Sequence, residues 1–69
     1  MLTDRLRAAV RALPEPQRIA VLLAYAGGLT AREIAGRLGI PEGTAKSRLR
    51  LGVRRVARLL AANGYGPEE

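Results

Sequence analysis

Cysteine and histidine are both absent from this chain of 69 residues. Without cysteine the chain forms no disulfide and no thiolate metal site, and without histidine it lacks the commonest general base and metal ligand. The six acidic residues are scattered and form no evident catalytic pair: Asp4, Glu15, Glu33, Glu42, Glu68 and Glu69. The sequence therefore predicts a protein that is not an enzyme and that uses no cofactor or metal.

Long apolar runs are missing as well. The longest, residues 19–26, has eight residues, far short of the roughly 20 that a membrane-spanning helix needs. The first residues lack the apolar segment of a secretory signal. We therefore expect a cytoplasmic protein with no membrane partner, and its length indicates one small domain or a piece of a larger protein.

No stretch alternates between apolar and polar residues with period two, so the sequence predicts an all-α fold, a small four-helix domain with a C-terminal helix-turn-helix. Residues 1–62 form this domain and residues 63–69 a flexible tail. The first helix is expected over residues 4–12, with Thr3 as its N-cap. Prolines at 14 and 16 suit the first turn of the second helix.

The second helix is expected to run to about Ala26 and to end at Gly27-Gly28, where a left-handed cap is easy. Its residues 19–26 are apolar on nearly all sides, which is typical of a helix in a core or against a partner. So small a domain cannot cover such a helix completely. We expect the part near Val21 and Tyr25 to be exposed or covered by another protein.

The third helix has a clear beginning, because Thr30 followed by Glu33 forms a capping box. Gly39 ends it, and Ile40-Pro41 open the fourth helix. Apolar residues then recur on one side of the fourth helix and predict its core-facing stripe: Ala45, Leu49, Gly52, Val53, Val56, Leu59 and Leu60. Gly52 is costly within a helix, so its place in this stripe predicts close approach of another helix.

The opposite side of the fourth helix is polar and cationic. Residues 41–60 contain six basic residues against Glu42 alone, a local balance of +5. Such a cluster can be merely a solvated basic face, but on the second helix of a helix-turn-helix it favours DNA as the partner. Leu51 lies in the middle of this side, where it can touch a thymine methyl, meet a protein partner or remain an isolated exposed leucine; we favour the last.

Side-chain chemistry divides this face into two groups. Base readout is predicted for the first turns of the helix, at Glu42, Gly43, Thr44, Ser47 and Arg48, because small residues allow close approach and arginine pairs with guanine. For Glu42, favourable interaction with the helix dipole is an equal alternative. Phosphate contacts are predicted for the remaining cations and for the beginning of the third helix: Thr30, Arg32, Lys46, Arg50, Arg54, Arg55 and Arg58.

Four groups of residues together form a family pattern: Gly28-Leu29-Thr30, Glu33-Ile34-Ala35, residues 38–44 and Lys46-Ser47-Arg48-Leu49. In these residues the chain resembles region four, the C-terminal DNA-binding domain, of bacterial sigma factors, most closely the extracytoplasmic-function group. The resemblance implies that the last helix binds the −35 element of double-stranded promoter DNA. It implies docking on the flap of the RNA polymerase β subunit, and it adds an anti-sigma factor as a candidate partner. The family's DNA-contact positions correspond here to Arg32, Glu42, Gly43, Thr44, Lys46, Ser47, Arg48 and Arg50.

The chain departs from the family pattern at several positions. Ala45 replaces the usual valine, Ala31 stands where an aromatic is common, and Leu51 and Val53 occupy positions that often carry arginine.

Three alternatives remain. A response-regulator helix-turn-helix shares Gly-Leu-Thr-x-x-Glu-Ile-Ala, but it typically has a histidine soon after the lysine. From a different class, residues 41–60 can bind an acidic membrane surface or an acidic partner as a basic helix, and the whole chain can be an interaction domain held by an anti-sigma factor.

Overall fold

The computed structural model describes residues 4–62, and every regular element in this range is helical. The helices are α1 (Asp4–Arg11), α2 (Glu15–Tyr25), α3 (Ala31–Leu38) and α4 (Glu42–Ala62). The predicted all-α, four-helix fold is confirmed, with α1 and α2 each ending one residue earlier than expected. The predicted Thr3 cap and the tail at residues 63–69 lie outside the described part of the chain.

The beginning of α3 is fixed by the predicted capping box. The Glu33 N–H donates to Oγ1 of Thr30 at 3.1 Å, and the Thr30 N–H donates to Oε1 of Glu33 at 2.9 Å. These two bonds satisfy N–H groups that a helix leaves without an intrahelical partner. The local sequence therefore sets where the helix-turn-helix begins.

Two glycines make the turns on either side of α3. Gly28 has φ +73°, and the Leu29 N–H beyond it donates back to the Leu23 carbonyl of α2 at 3.0 Å. Gly39 has φ +70° at the end of α3. Glycine adopts this left-handed conformation without the strain that a Cβ imposes, so the predicted left-handed glycines after α2 and at the end of α3 are confirmed.

The beginning of α4 differs slightly from expectation. The helix starts at Glu42 and not at Ile40 or Pro41. The Pro41 carbonyl instead accepts from the N–H groups of Thr44 and Ala45, at 3.0 and 3.1 Å. Proline thus lies immediately before the first turn, where its missing N–H costs nothing.

A small apolar core joins α3 to the N-terminal half of α4. Ile34 and Ala45 are each 0% exposed and Ala35 is buried beside them. The partly buried residues around this core come from α2, α3, both turns and α4: Leu23, Ala24, Leu29, Ala31, Leu38, Ile40 and Leu49. This packing holds the helix-turn-helix as one unit.

The C-terminal half of α4 packs against the other two helices. Gly52 approaches α2 at Gln17 and Val21, and Ala9 and Leu13 of the N-terminal segment are buried as well. With 21 residues, α4 is about 30 Å long and accounts for most of the 38 Å longest dimension. It is therefore the only helix among residues 4–62 that spans both ends of the domain.

Two burial predictions are wrong. Val21 was expected to be exposed or covered by another protein, but its own chain leaves it only 6% exposed, because Gly52 has no side chain and α4 comes close enough to cover it. Val53 was expected in the core but is 43% exposed. It lies at the edge of the apolar stripe, where α1 and α2 leave a groove between them instead of covering it.

Candidate nucleic-acid interface

The N-terminal half of α4 presents short polar side chains at the surface. Gly43 and Ser47 are exposed, and Thr44 and Arg48 are half-buried. The side of the helix behind them is held by the fully buried Ala45 against Ile34 of α3. A surface of small residues on a braced helix permits close approach to a groove of DNA.

Glu42 and Lys46 interact one turn apart on this surface. Nζ of Lys46 lies 3.6 Å from Oε2 of Glu42, and each side chain is about half exposed. An exposed pair at this spacing contributes only about 0.3–0.5 kcal/mol to stability. Both side chains therefore remain easily available to an external ligand.

The remaining cations of α4 continue along the same helix toward its C-terminal end. Arg50, Arg54, Arg55 and Arg58 are exposed, as Lys46 is. From residue 46 to residue 58 the helix rises about 18 Å. A duplex carries one phosphate charge about every 1.7 Å along its axis when both strands are counted, so a row of cations of this length can contact several phosphates.

The beginning of α3 carries a further exposed cation, outside α4. Arg32 is exposed in the first turn of α3. The capping box already uses the N–H groups of Thr30 and Glu33, so the anion-binding capacity of this helix end rests on the N–H groups of Ala31 and Arg32 and on the Arg32 side chain. For the predicted phosphate contact, Thr30 therefore has only its hydroxyl proton left to donate.

Another surface of the molecule is apolar. A groove of about 830 Å³ lies between α1, α2 and α4, and we call it the apolar groove. Its walls are mostly aliphatic, with one tyrosine and three arginines at the rim: Leu6, Arg7, Val10, Arg11, Arg18, Val21, Leu22, Tyr25, Ala26, Val53 and Val56.

Sequence reasoning found only part of this groove. Tyr25 is 74% exposed, as expected, and Val21 forms part of the floor although it is buried. Leu22 and Val53 were missed, although the all-round apolar character of α2 was the signal for Leu22. Leu51 is 49% exposed and does not line the groove, which agrees with its reading as an isolated surface leucine.

One rim arginine also fixes the connection between the first two helices. Nη1 of Arg18 donates to the Leu13 carbonyl at 3.2 Å, and Leu13 itself is buried. This bond closes the short link between α1 and α2 and leaves other guanidinium N–H groups of Arg18 at the groove.

Membrane binding by α4 as a free basic helix conflicts with the packing of its apolar side. None of the helices in residues 4–62 is both long and apolar enough to span a bilayer. Binding at a membrane surface would require α4 to release its apolar side, which already holds Ala45 and Gly52 against α3 and α2.

Comparison with known proteins identifies a sequence family. The family described as "Sigma-70, region 4" matches residues 3–56. Over 52 residues the chain is 48% identical to the ECF RNA polymerase sigma factor RpoE of Cereibacter sphaeroides. That alignment covers 75% of this chain and 29% of the relative, so the chain spans less than a third of that protein's length.

Proposed function

The chain belongs to the sigma-70 region 4 family, and from this we propose that it is the promoter-recognition module of a bacterial RNA polymerase sigma factor. In this role α4 enters the major groove of the −35 element and directs transcription initiation from that promoter. The main observation behind the proposal is that α4 has two different sides. Its buried side is held by α3, and small polar and cationic side chains occupy its outer side. Family membership removes the response-regulator alternative.

Base readout belongs to the first two turns of α4. Gly43, Thr44 and Ser47 allow the backbone to approach the base edges, and Arg48 donates two hydrogen bonds to a guanine. Glu42 lies at the same end, where a carboxylate accepts from a cytosine amino group. The half-burial of Arg48 supports this role, because a partly packed side chain loses less conformational freedom on binding.

Phosphate contacts belong to the cations farther from the base edges. Lys46, Arg50, Arg54, Arg55 and Arg58 supply affinity that does not depend on sequence and that falls as salt rises. Arg32 and the Thr30 hydroxyl add contacts from the beginning of α3. Together they set the register in which the first turns of α4 meet the bases.

The apolar groove is the proposed docking site for the flap of the RNA polymerase β subunit. Leu22, Tyr25 and Val53 leave apolar surface exposed around it, and exposed apolar patches of this kind mark protein-binding sites. An anti-sigma factor that covers this surface would restrain the domain by competing with polymerase. Leu51 lies on the opposite side of α4 and is not part of this interface.

Two single substitutions on separate surfaces test the proposal. Arg48→Ala removes a proposed base contact, and Leu22→Ser removes apolar surface from the groove. Binding of each variant is measured by fluorescence anisotropy against duplexes selected by the wild-type chain and against the purified flap domain of RNA polymerase β. We expect Arg48→Ala to weaken duplex binding alone and Leu22→Ser to weaken flap binding alone.

Other outcomes would contradict separate parts of the proposal. If selection from a random duplex library enriches no sequence motif, α4 is not a sequence reader. If Leu22→Ser leaves flap affinity unchanged, the docking surface lies elsewhere. If either variant weakens both interactions equally, the two surfaces are not independent.

A further inference from the structure

Gly52 is buried in the middle of α4, where this helix packs against Gln17 and Val21 of α2. A Cβ placed on Gly52 would lie 2.6 Å from Cγ2 of Val21, 3.4 Å from the Gln17 carbonyl oxygen and 3.5 Å from the Gln17 Cβ. The first of these distances is far below a van der Waals contact between carbon atoms. A side chain at position 52 therefore displaces Val21 or separates the two helices.

Val21 connects this contact to the apolar groove. Its side chain packs against Gly52 on one side and forms part of the groove floor on the other. Val56, on the same helix as Gly52, also lines the groove. The absence of a side chain at position 52 thus gives Val21 the space it occupies below the groove.

We propose that Gly52 is a positioning residue for partner binding: by accommodating Val21 it sets the depth of the apolar groove, although Gly52 itself does not line it. Adding one methyl group at position 52 pushes Val21 toward the groove and makes the groove shallower. This inference rests on the proposed function only in treating the apolar groove as the surface that binds a protein partner.

The DNA-binding end of α4 is expected to be insulated from this change. Ala45 lies seven positions before Gly52, about two helical turns away, and is held by Ile34 and Ala35 in a separate buried cluster. Because α3 braces that end directly, and α2 reaches the cluster through Leu23 and Ala24 and not through Val21, a local shift of Val21 leaves Thr44 and Ser47 in place. A movement of the whole of α4 away from α2 would instead alter both surfaces.

Four variants distinguish these possibilities: Gly52→Ala, Val21→Ala, the double variant that combines both, and Leu22→Ser as a control that removes groove surface directly. Two probes report on the groove. One is the dye ANS, which binds exposed apolar surface, and the other is the purified flap domain of RNA polymerase β. Low-salt binding to a duplex reports on α4, and urea unfolding followed by circular dichroism reports on the fold.

We expect Gly52→Ala to weaken ANS and flap binding at least fivefold and to change duplex affinity less than twofold. Its urea midpoint should change little, because the higher helix propensity of alanine offsets part of the steric conflict. Val21→Ala removes the displaced methyl groups, so the double variant should bind both groove probes within twofold of the Val21→Ala protein.

Several results would overturn the inference. It is wrong if Gly52→Ala leaves ANS binding unchanged, if it weakens duplex binding as much as groove binding, or if it has the same effect with and without Val21→Ala. If Gly52→Ala fails to fold, the double variant decides the matter: the inference is wrong if the double variant also fails to fold, because Val21→Ala should remove the steric conflict. If neither the wild type nor any variant binds the flap domain while ANS binding changes as expected, the proposed docking of the flap in the apolar groove is wrong. The role of Gly52 in setting the depth of the groove then still holds.

Discussion

Lys46 and Glu42 form an ion pair at the surface of the first two turns of α4, with 3.6 Å between Nζ and Oε2. In the free domain the lysine thus lies beside a carboxylate of its own helix. When a duplex arrives, its phosphates compete for the same ammonium group. The pair links a proposed base reader to a proposed phosphate contact.

Glu42→Gln should strengthen low-salt binding to a duplex of arbitrary sequence, because it removes the negative charge closest to Lys46. The free energy of unfolding should change by less than about 0.5 kcal/mol, the range for an exposed helical ion pair. Anisotropy titrations and urea unfolding measure the two quantities. Glu15→Gln in the first turn of α2 removes the same charge away from α4 and serves as the control. Weaker non-specific binding by Glu42→Gln would contradict this expectation.

Arg48→Ala should relax discrimination at one base position and cost about 1–3 kcal/mol of binding free energy on the preferred duplex. The reason is the loss of a two-bond contact to guanine. Affinities are measured for a set of duplexes that carries each base at each position. Arg48→Lys keeps the charge without the planar pair of donors and should also lose discrimination. An equal loss on every duplex would mean that Arg48 is a phosphate contact.

Arg54→Ala should weaken binding to all duplexes alike and should reduce the slope of log affinity against log salt by roughly one. Arg54 is exposed on α4 beyond the first turns, which suits a phosphate contact. The measurement is a salt titration on a preferred and an unrelated duplex. Arg54→Lys should retain the salt slope. A loss confined to one base position would contradict the assignment.

Ile34→Ala should cost about 2–5 kcal/mol of unfolding free energy, the usual range for truncating a buried isoleucine. Ile34 is fully buried between α3 and α4, and the total stability of a domain this small is itself only several kcal/mol, at about 0.05–0.15 kcal/mol per residue. Urea unfolding followed by circular dichroism measures it.

Leu51→Ala is the matched control for this truncation. Leu51 lies on α4 but is about half exposed, so its loss should change stability by less than about 0.5 kcal/mol. Equal effects of the two substitutions would mean that the core is not where the structure has it.

The sequence alone was enough to predict the four helices and the helix-turn-helix, because the signals for them are local. A capping box at Thr30 and Glu33 satisfies backbone groups within one turn, and Gly39 ends α3 by its left-handed backbone. The exposed cations of α4 also followed from a 3.6-residue period. None of these features depends on which helix packs against which in the hydrophobic core.

The tertiary structure decided what no local signal contains: which side of each apolar helix is covered. From the sequence, Val21 was placed in the part of α2 expected to be exposed or covered by a partner and Val53 in the core, whereas the structure buries the first and exposes the second. The reason is the contact at Gly52, which brings α4 against α2 at Val21 while the space beside Val53 stays open as the apolar groove. The sequence therefore determined the helices and the cationic face of α4, whereas the groove exists only because three helices separated along the chain pack together.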